Sequence, residues 1–212
     1  MSEAMPQNRI PLTYILIAAN VAISVLAFAS RDVFAALFFQ VGPIMNGQVH
    51  RLLTSGFLHA DIMHLLFNMV SLFFFGPVLE DKRALGKRGF LIVYFVALLA
   101  GNLWALGTHL NEPYYSAVGA SGAVSGVLLG VALFAPFMTI LIFGFIPIPA
   151  ILFALLFVAF SAFAPIWDTS NIGHEAHLGG FTRWLTRHVE PFWTWFAMNR
   201  GRASAGSPNP LT

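Results

Sequence analysis

A chain of 212 residues that is 58% hydrophobic and 9% charged, with mean hydropathy +0.75, falls outside the soluble globular class, where about 25% of residues are charged. Its formal net charge of +2 is too small for a nucleic-acid surface, and the absence of cysteine excludes disulfides, thiolate metal sites and cysteine nucleophiles. Membrane spans must fill most of the chain.

The apolar pattern predicts an all-α membrane protein, a bundle of six transmembrane helices over residues 11–198 flanked by cytoplasmic tails at 1–10 and 199–212. The first span runs from Leu12 to Phe28. Arg9 precedes it and Ala27-Phe28-Ala29 resembles a cleavage site, but the stretch exceeds the roughly 7–15 residues of a signal-peptide core, so it reads as a retained helix. The second and third spans cover Ile62 to Leu79 and Phe90 to Leu110. The fourth, Ala117 to Phe134, is short and glycine-rich and leads into an apolar connection from Ala135 to Ile146. Pro147 and Pro149 are placed to open a fifth helix near Ile148 that continues to Phe163. A sixth, Leu178 to Met198, contains Arg183, Arg187, His188, Glu190 and Pro191. An Arg near the bilayer centre costs about 2.5–3.5 kcal/mol; Arg187 can snorkel to the interface, and Arg183 has farther to reach.

Lys82, Arg83, Lys87 and Arg88 in the second connection, with Arg200 and Arg202 in the tail, place both termini in the cytoplasm. Arg31 and Arg51 in the first connection run against that rule. The tail from Gly201 to Thr212, rich in Ser, Pro, Gly and Ala, is expected to be disordered. The N-terminal segment lacks a transit-peptide pattern, which points to a multi-pass protein of a bacterial cytoplasmic (inner) membrane.

In this topology every even-numbered span begins at the outer face. His64 and Asn68 then lie near the start of span two, Ser121 near the start of span four and His177 near the start of span six, all at similar depth. His64 and Asn68, four apart, share a helical face. Ser121 heads a row of Gly122, Gly126 and Gly130, and Gly179-Gly180 follows His177, a pattern suited to close contact between spans four and six. A lone Ser or Asn in a span is ordinarily packing glue, whereas histidines there default to function. Together they match the needs of acyl transfer. Ser121 would attack, His177 would take its proton, and the Asn68 amide, a His64 N–H and the Ser121 backbone N–H would stabilise the oxyanion.

The segment from Arg51 through His59, His64, Asn68 and Met69 to Gly76 and Glu80, the motif Gly119-Ala120-Ser121-Gly122, and Ala176-His177-Leu178-Gly179-Gly180 together resemble the rhomboid family of intramembrane serine proteases. The resemblance implies a Ser121–His177 dyad without an acidic third member and an oxyanion site lined by His64 and Asn68. It also implies a structural role for His59, no metal or organic cofactor, and substrates that are membrane proteins cut in or near a transmembrane helix. Lateral substrate entry beside span five, near Phe153 and Phe157 and under a connection from Ala164 to Gly173, is a further implication.

Two positions depart from the family pattern. His50-Arg51 stands where the family usually carries Trp-Arg, and Trp184, beside Arg183, stands where it tends to place Gly. Trp184 is expected either to pack against Gly126 and Gly130 or to face lipid. A pseudoprotease that binds transmembrane helices without cutting them would tolerate such a sixth span, but such proteins typically lose the dyad. A zinc protease is suggested by His174-Glu175-Ala176-His177, yet those histidines are one residue too close for the helical H-E-x-x-H motif. Transporter or channel function finds no inverted repeat or ring of charge in support.

Overall fold

The computed structural model describes residues 10–142 and 145–163; the tails, the expected sixth span, His177, Arg183 and Trp184 lie outside them. In chain order the elements are α1 (Leu12–Ala29), α2 (Arg31–Leu37), β1 (Phe39–Gln40), α3 (Val41–Met45), α4 (Arg51–Thr54), a 3-10 turn (Ser55–Phe57), α5 (Ile62–Glu80), α6 (Gly86–Thr108), β2 (Ser116–Ala117), α7 (Ser121–Phe134), β3 (Thr139–Ile142), β4 (Ile146–Pro149) and α8 (Ala150–Phe163).

Among the described residues three helices are long and apolar enough to cross a membrane: α1, α5 and α6, with 18, 19 and 23 residues. At 1.5 Å per residue they reach about 27–35 Å, the thickness of a hydrocarbon core. Their outer surfaces are apolar as well as their inner ones. Leu26, Phe67, Phe74 and Ile92 are all exposed, the pattern of helices solvated by lipid rather than water. The protein is a mostly helical membrane bundle.

The α7 helix forms its centre. All residues from Gly122 to Ala132 are buried, and α7 packs against α5, α6 and α8. Its glycines allow close approach, and among the described residues two of them meet spans two and three; the expected contact of this row with span six lies outside the described residues. A Cβ on Gly126 would collide with the Ala97 Cβ of α6, and one on Gly130 would lie 2.8 Å from Leu79 Cδ2 of α5. The Cβ side of both glycines is therefore filled by spans three and two.

A second close contact joins α1 to α5. A Cβ on Gly76 would sit 2.5 Å from Thr13 Cγ2, and one turn on, buried Glu80 accepts hydrogen bonds from Leu12 N (2.7 Å), Thr13 N (3.0 Å) and Thr13 Oγ1 (2.8 Å). These N–H groups start α1 and have no acceptor within it, so the carboxylate caps that helix from a neighbouring one and meets the positive end of its dipole. Lys87 Nζ, 3.8 Å from Glu80 Oε1, balances the charge. Replacing Glu80 with Ala is expected to destabilise the fold by about 2 kcal/mol or more. Thermal melting in detergent should show a lowered Tm for Glu80→Ala and little change for Asp81→Ala.

Two strand pairs modify the all-α expectation. β1 pairs antiparallel with β2, Phe39 opposite Ala117 and Gln40 opposite Ser116, so the fourth helix starts at Ser121 rather than Ala117. Pro147 and Pro149 lie in β4, paired with Leu141 and Thr139, so the fifth helix opens at Ala150 and the preceding connection is a hairpin. In a two-stranded hairpin every strand is an edge, where a residue without an N–H is tolerated. The third helix also begins earlier, at Gly86, and ends at Thr108.

The first connection is a folded unit rather than a loop. Arg51, nearly buried, donates to Phe38 O (2.7 Å) and Gln48 Oε1 (2.8 Å) and stacks over the Phe38 ring at 5.3 Å. Its guanidinium is engaged by the connection itself.

Candidate active site

Asp61 starts α5: its carboxylate accepts a 2.8 Å hydrogen bond from the backbone N–H of His64, the N-cap geometry. That fixes His64 in the first turn. Asn68, one turn deeper on the same face, is buried, and its Nδ2 donates to the His64 carbonyl at 2.9 Å. One of its two amide hydrogens is thus committed to its own helix.

Ser121 is the first residue of α7. The turn before it is held from elsewhere: Gly119 N donates to Ser55 O at 3.1 Å, while Asn102 on α6 donates to Ser55 Oγ at 3.1 Å and Leu52 O at 2.8 Å. Val41 N and Gly42 N bond to Tyr115 O and Pro113 O, continuing the β1–β2 pairing along the approach to Ser121. The first connection, α6 and the third connection thus jointly set the position of one hydroxyl.

Gly119 has φ +128, a conformation L side chains rarely adopt. A Cβ there would lie 2.8 Å from both Cε1 and Nε2 of His64 and 3.6 Å from Ser121 Oγ. His64 and Ser121, 57 residues apart in sequence, therefore meet at the missing side chain of one glycine. Ser121 also stands at the N-terminal end of a 14-residue helix, where backbone N–H groups and the dipole favour negative charge.

His59 packs its ring against His64, centroids 5.1 Å apart and planes at 76°. It is fully buried, with Nδ1 2.9 Å from Ser24 Oγ on α1. Ser24 has one proton, which it donates to Phe57 O at 3.0 Å; His59 Nδ1–H must then donate to Ser24, leaving Nε2 a bare lone pair. Among the described residues that atom has no hydrogen-bond partner. Burial first, and the neighbouring His64 second, push the His59 imidazole down to about 3, against a smaller opposing pull from Asp61.

An unfolded chain takes up this proton near 6.5. Between the two values the unfolded state binds more protons, so stability falls as pH drops through the window from 6.5 toward 3. Melting curves across this range should show acid destabilisation of up to about 1.4 kcal/mol per pH unit, with a shallower slope for His59→Asn.

Of the four residues predicted from sequence, His64 and Ser121 are brought together, Asn68 lies beneath them on the His64 face, and His177 is outside the described residues. The supports Asp61, Ser24, Ser55 and Asn102 were not foreseen. Asp61 carries a readable signal, an N-cap residue immediately before an apolar helix. The others do not, because their partners are distant in sequence.

The family model described as "Rhomboid domain" matches residues 46–184. The chain belongs to the rhomboid family. It is 42% identical over 138 residues to "Putative rhomboid protease YdcA" of Bacillus subtilis (strain 168), covering 65% of this chain and 64% of that protein. It is 29% identical over 182 residues to "RHOMBOID-like protein 12, mitochondrial" of Arabidopsis thaliana, covering 78% of this chain and 54% of that one. The matches thus span less than two thirds of either relative. "Inactive RHOMBOID-like protein 8" of Arabidopsis thaliana is 32% identical over 84 residues, 40% of this chain and 23% of its own length. Family membership thus spans proteins named as proteases and one named as inactive. Within this rhomboid, the stretch from Arg51 to Glu80, inside the matched range, forms the first-connection and α5 framework, including the Glu80 cap on α1.

Proposed function

We propose that this rhomboid is an intramembrane serine endopeptidase that hydrolyses peptide bonds in or near transmembrane helices of membrane-protein substrates. Ser121 is the nucleophile and His177 the base, with no metal or organic cofactor. His64, the remaining Asn68 amide hydrogen and the Ser121 N–H form the oxyanion site. The observation that carries this reading is the convergence of the His64 imidazole and the Ser121 hydroxyl on Gly119, at a helix N-terminus. A donor ring beside a nucleophile, in a site walled by apolar helices, is placed to stabilise a developing negative charge. The proposal includes six spans over residues 11–198 with both tails cytoplasmic, in a bacterial inner membrane. Labelling of single cysteines placed in each tail, in intact cells, tests that orientation; reaction with an impermeant reagent at either tail would overturn it.

A catalytically impaired rhomboid that binds transmembrane helices is the second reading. It is favoured by Arg183 and Trp184 in the expected sixth span and by a relative named as inactive. Purified protein in detergent, given a transmembrane substrate and, separately, a fluorophosphonate probe, distinguishes the two. Cleavage and labelling support the protease; a folded protein that binds the substrate yet neither cuts it nor takes up the probe supports the impaired form.

A further inference from the structure

No residue from Ala135 to Pro149 carries a charge. The hairpin register pairs Ile140 with Ile148, Leu141 with Pro147 and Thr139 with Pro149, so the two isoleucines share one face and the other four residues the opposite one. Ile140 packs against the bundle core, whereas Leu141 is 57% exposed. A strand pair with one face in water ordinarily carries polar residues there. Here the outward face is apolar except for Thr139, and Phe137 and Phe145 beside it are 82% and 73% exposed.

The depth of the hairpin follows from Gly130, which meets Leu79, two residues before exposed Asp81 at the end of α5. The α5 and α7 helices run parallel, His64 meeting the start of α7 and Leu79 its last turns. Gly130 is therefore already near the boundary marked by the second connection, and Phe134 lies about 6 Å beyond it. At that level the second connection carries Asp81, Lys82 and Arg83, and the hairpin carries nothing charged. Pro147 and Pro149 leave Ile146 and Ile148 as the N–H donors of β4, and these must form the ladder bonds to Ile142 and Ile140. The outer edge of β4 presents no donor that lipid would leave unsatisfied.

We propose that β3–β4 is an interfacial anchor: its outward face lies in the headgroup–acyl boundary of the leaflet on the side of the second connection, with lipid covering Leu141, Pro147 and Phe145. The inference rests on the bundle spanning a bilayer and is independent of whether Ser121 is catalytic. The chain has no cysteine, so single labels can be placed without background. Full-length Leu141→Cys, Thr139→Cys and Arg83→Cys proteins, each carrying an environment-sensitive fluorophore, are reconstituted in phosphatidylcholine–phosphatidylglycerol vesicles with iodide on both faces or with shallow doxyl lipids. Labels at 141 and 139 should be quenched by the doxyl lipid about two-fold more than the label at 83, and the label at 83 preferentially by iodide. Equal iodide quenching at 141 and 83 would place the hairpin in water and overturn the proposal. Shielding of 141 from both quenchers, with cross-linking between copies at low protein density, would also overturn it, in favour of a second copy as the cover. Thr139→Cys reports on the same face should Leu141→Cys not fold.

Discussion

Ser121→Ala is expected to reduce cleavage of a transmembrane substrate by about 10³–10⁶-fold, to abolish fluorophosphonate labelling, and to leave the melting temperature within a degree or two of wild type. The large effect follows from losing the only atom proposed to bond to the substrate carbonyl, since without it the remaining donors can at best assist water. The unchanged stability follows from the position of Ser121. It is the first residue of α7, so its side chain is not part of the buried run from Gly122 to Ala132 that holds the bundle together. His177→Ala should produce a comparable loss, because residues acting as one unit are not additive. His64→Ala should cost less, about 10²–10³-fold, the range for one oxyanion donor. If Ser121→Ala retained cleavage and labelling, the assignment of the nucleophile would fail whatever the fate of the family membership.

Gly119→Ala is the second large effect, and it separates geometry from chemistry because it adds one methyl group and removes no functional atom. Backbone at φ +128 disfavours any L side chain, by about 1–3 kcal/mol. The new Cβ would also be forced to within 2.8 Å of the His64 ring, so the ring or the Ser121 turn must shift. A misplacement of about 1 Å at a reacting centre costs on the order of 10²-fold. The expected result is a lowered Tm together with a loss of kcat of at least that size. In the double variant Gly119→Ala/His64→Ala the collision is relieved, so part of the Tm should return while activity does not. Full activity in Gly119→Ala would show that the His64–Ser121 juxtaposition has no bearing on catalysis.

Composition and span length were enough to read a helical membrane bundle and to place α1 and α5 within a residue or two, because about 20 consecutive apolar residues admit few other structures. The polar residues stood out for the same reason: in so apolar a chain each His, Asn and Ser is conspicuous, and their spacing from helix starts predicted a shared depth. Elements whose partners are distant were not legible. The start of α7 was misplaced by the four residues from Ala117 to Ala120, since Ser116 and Ala117 are held as a strand by Phe39 and Gln40, a contact that leaves no periodicity in either segment. The hairpin was hidden because Pro147 and Pro149 suit a helix start and an edge strand equally well.

The sequence by itself determined the solvent of this protein and the number of long apolar helices in its first half, since these depend on local composition and 3.6-residue periodicity. The tertiary structure alone decided which helices the glycines of α7 approach, how Glu80 comes to cap α1, and that His64 and Ser121 meet at Gly119. Each of these is a contact between residues far apart in sequence, set by close packing and by the need of buried polar groups for partners. Neither demand is written in the pattern of any one segment.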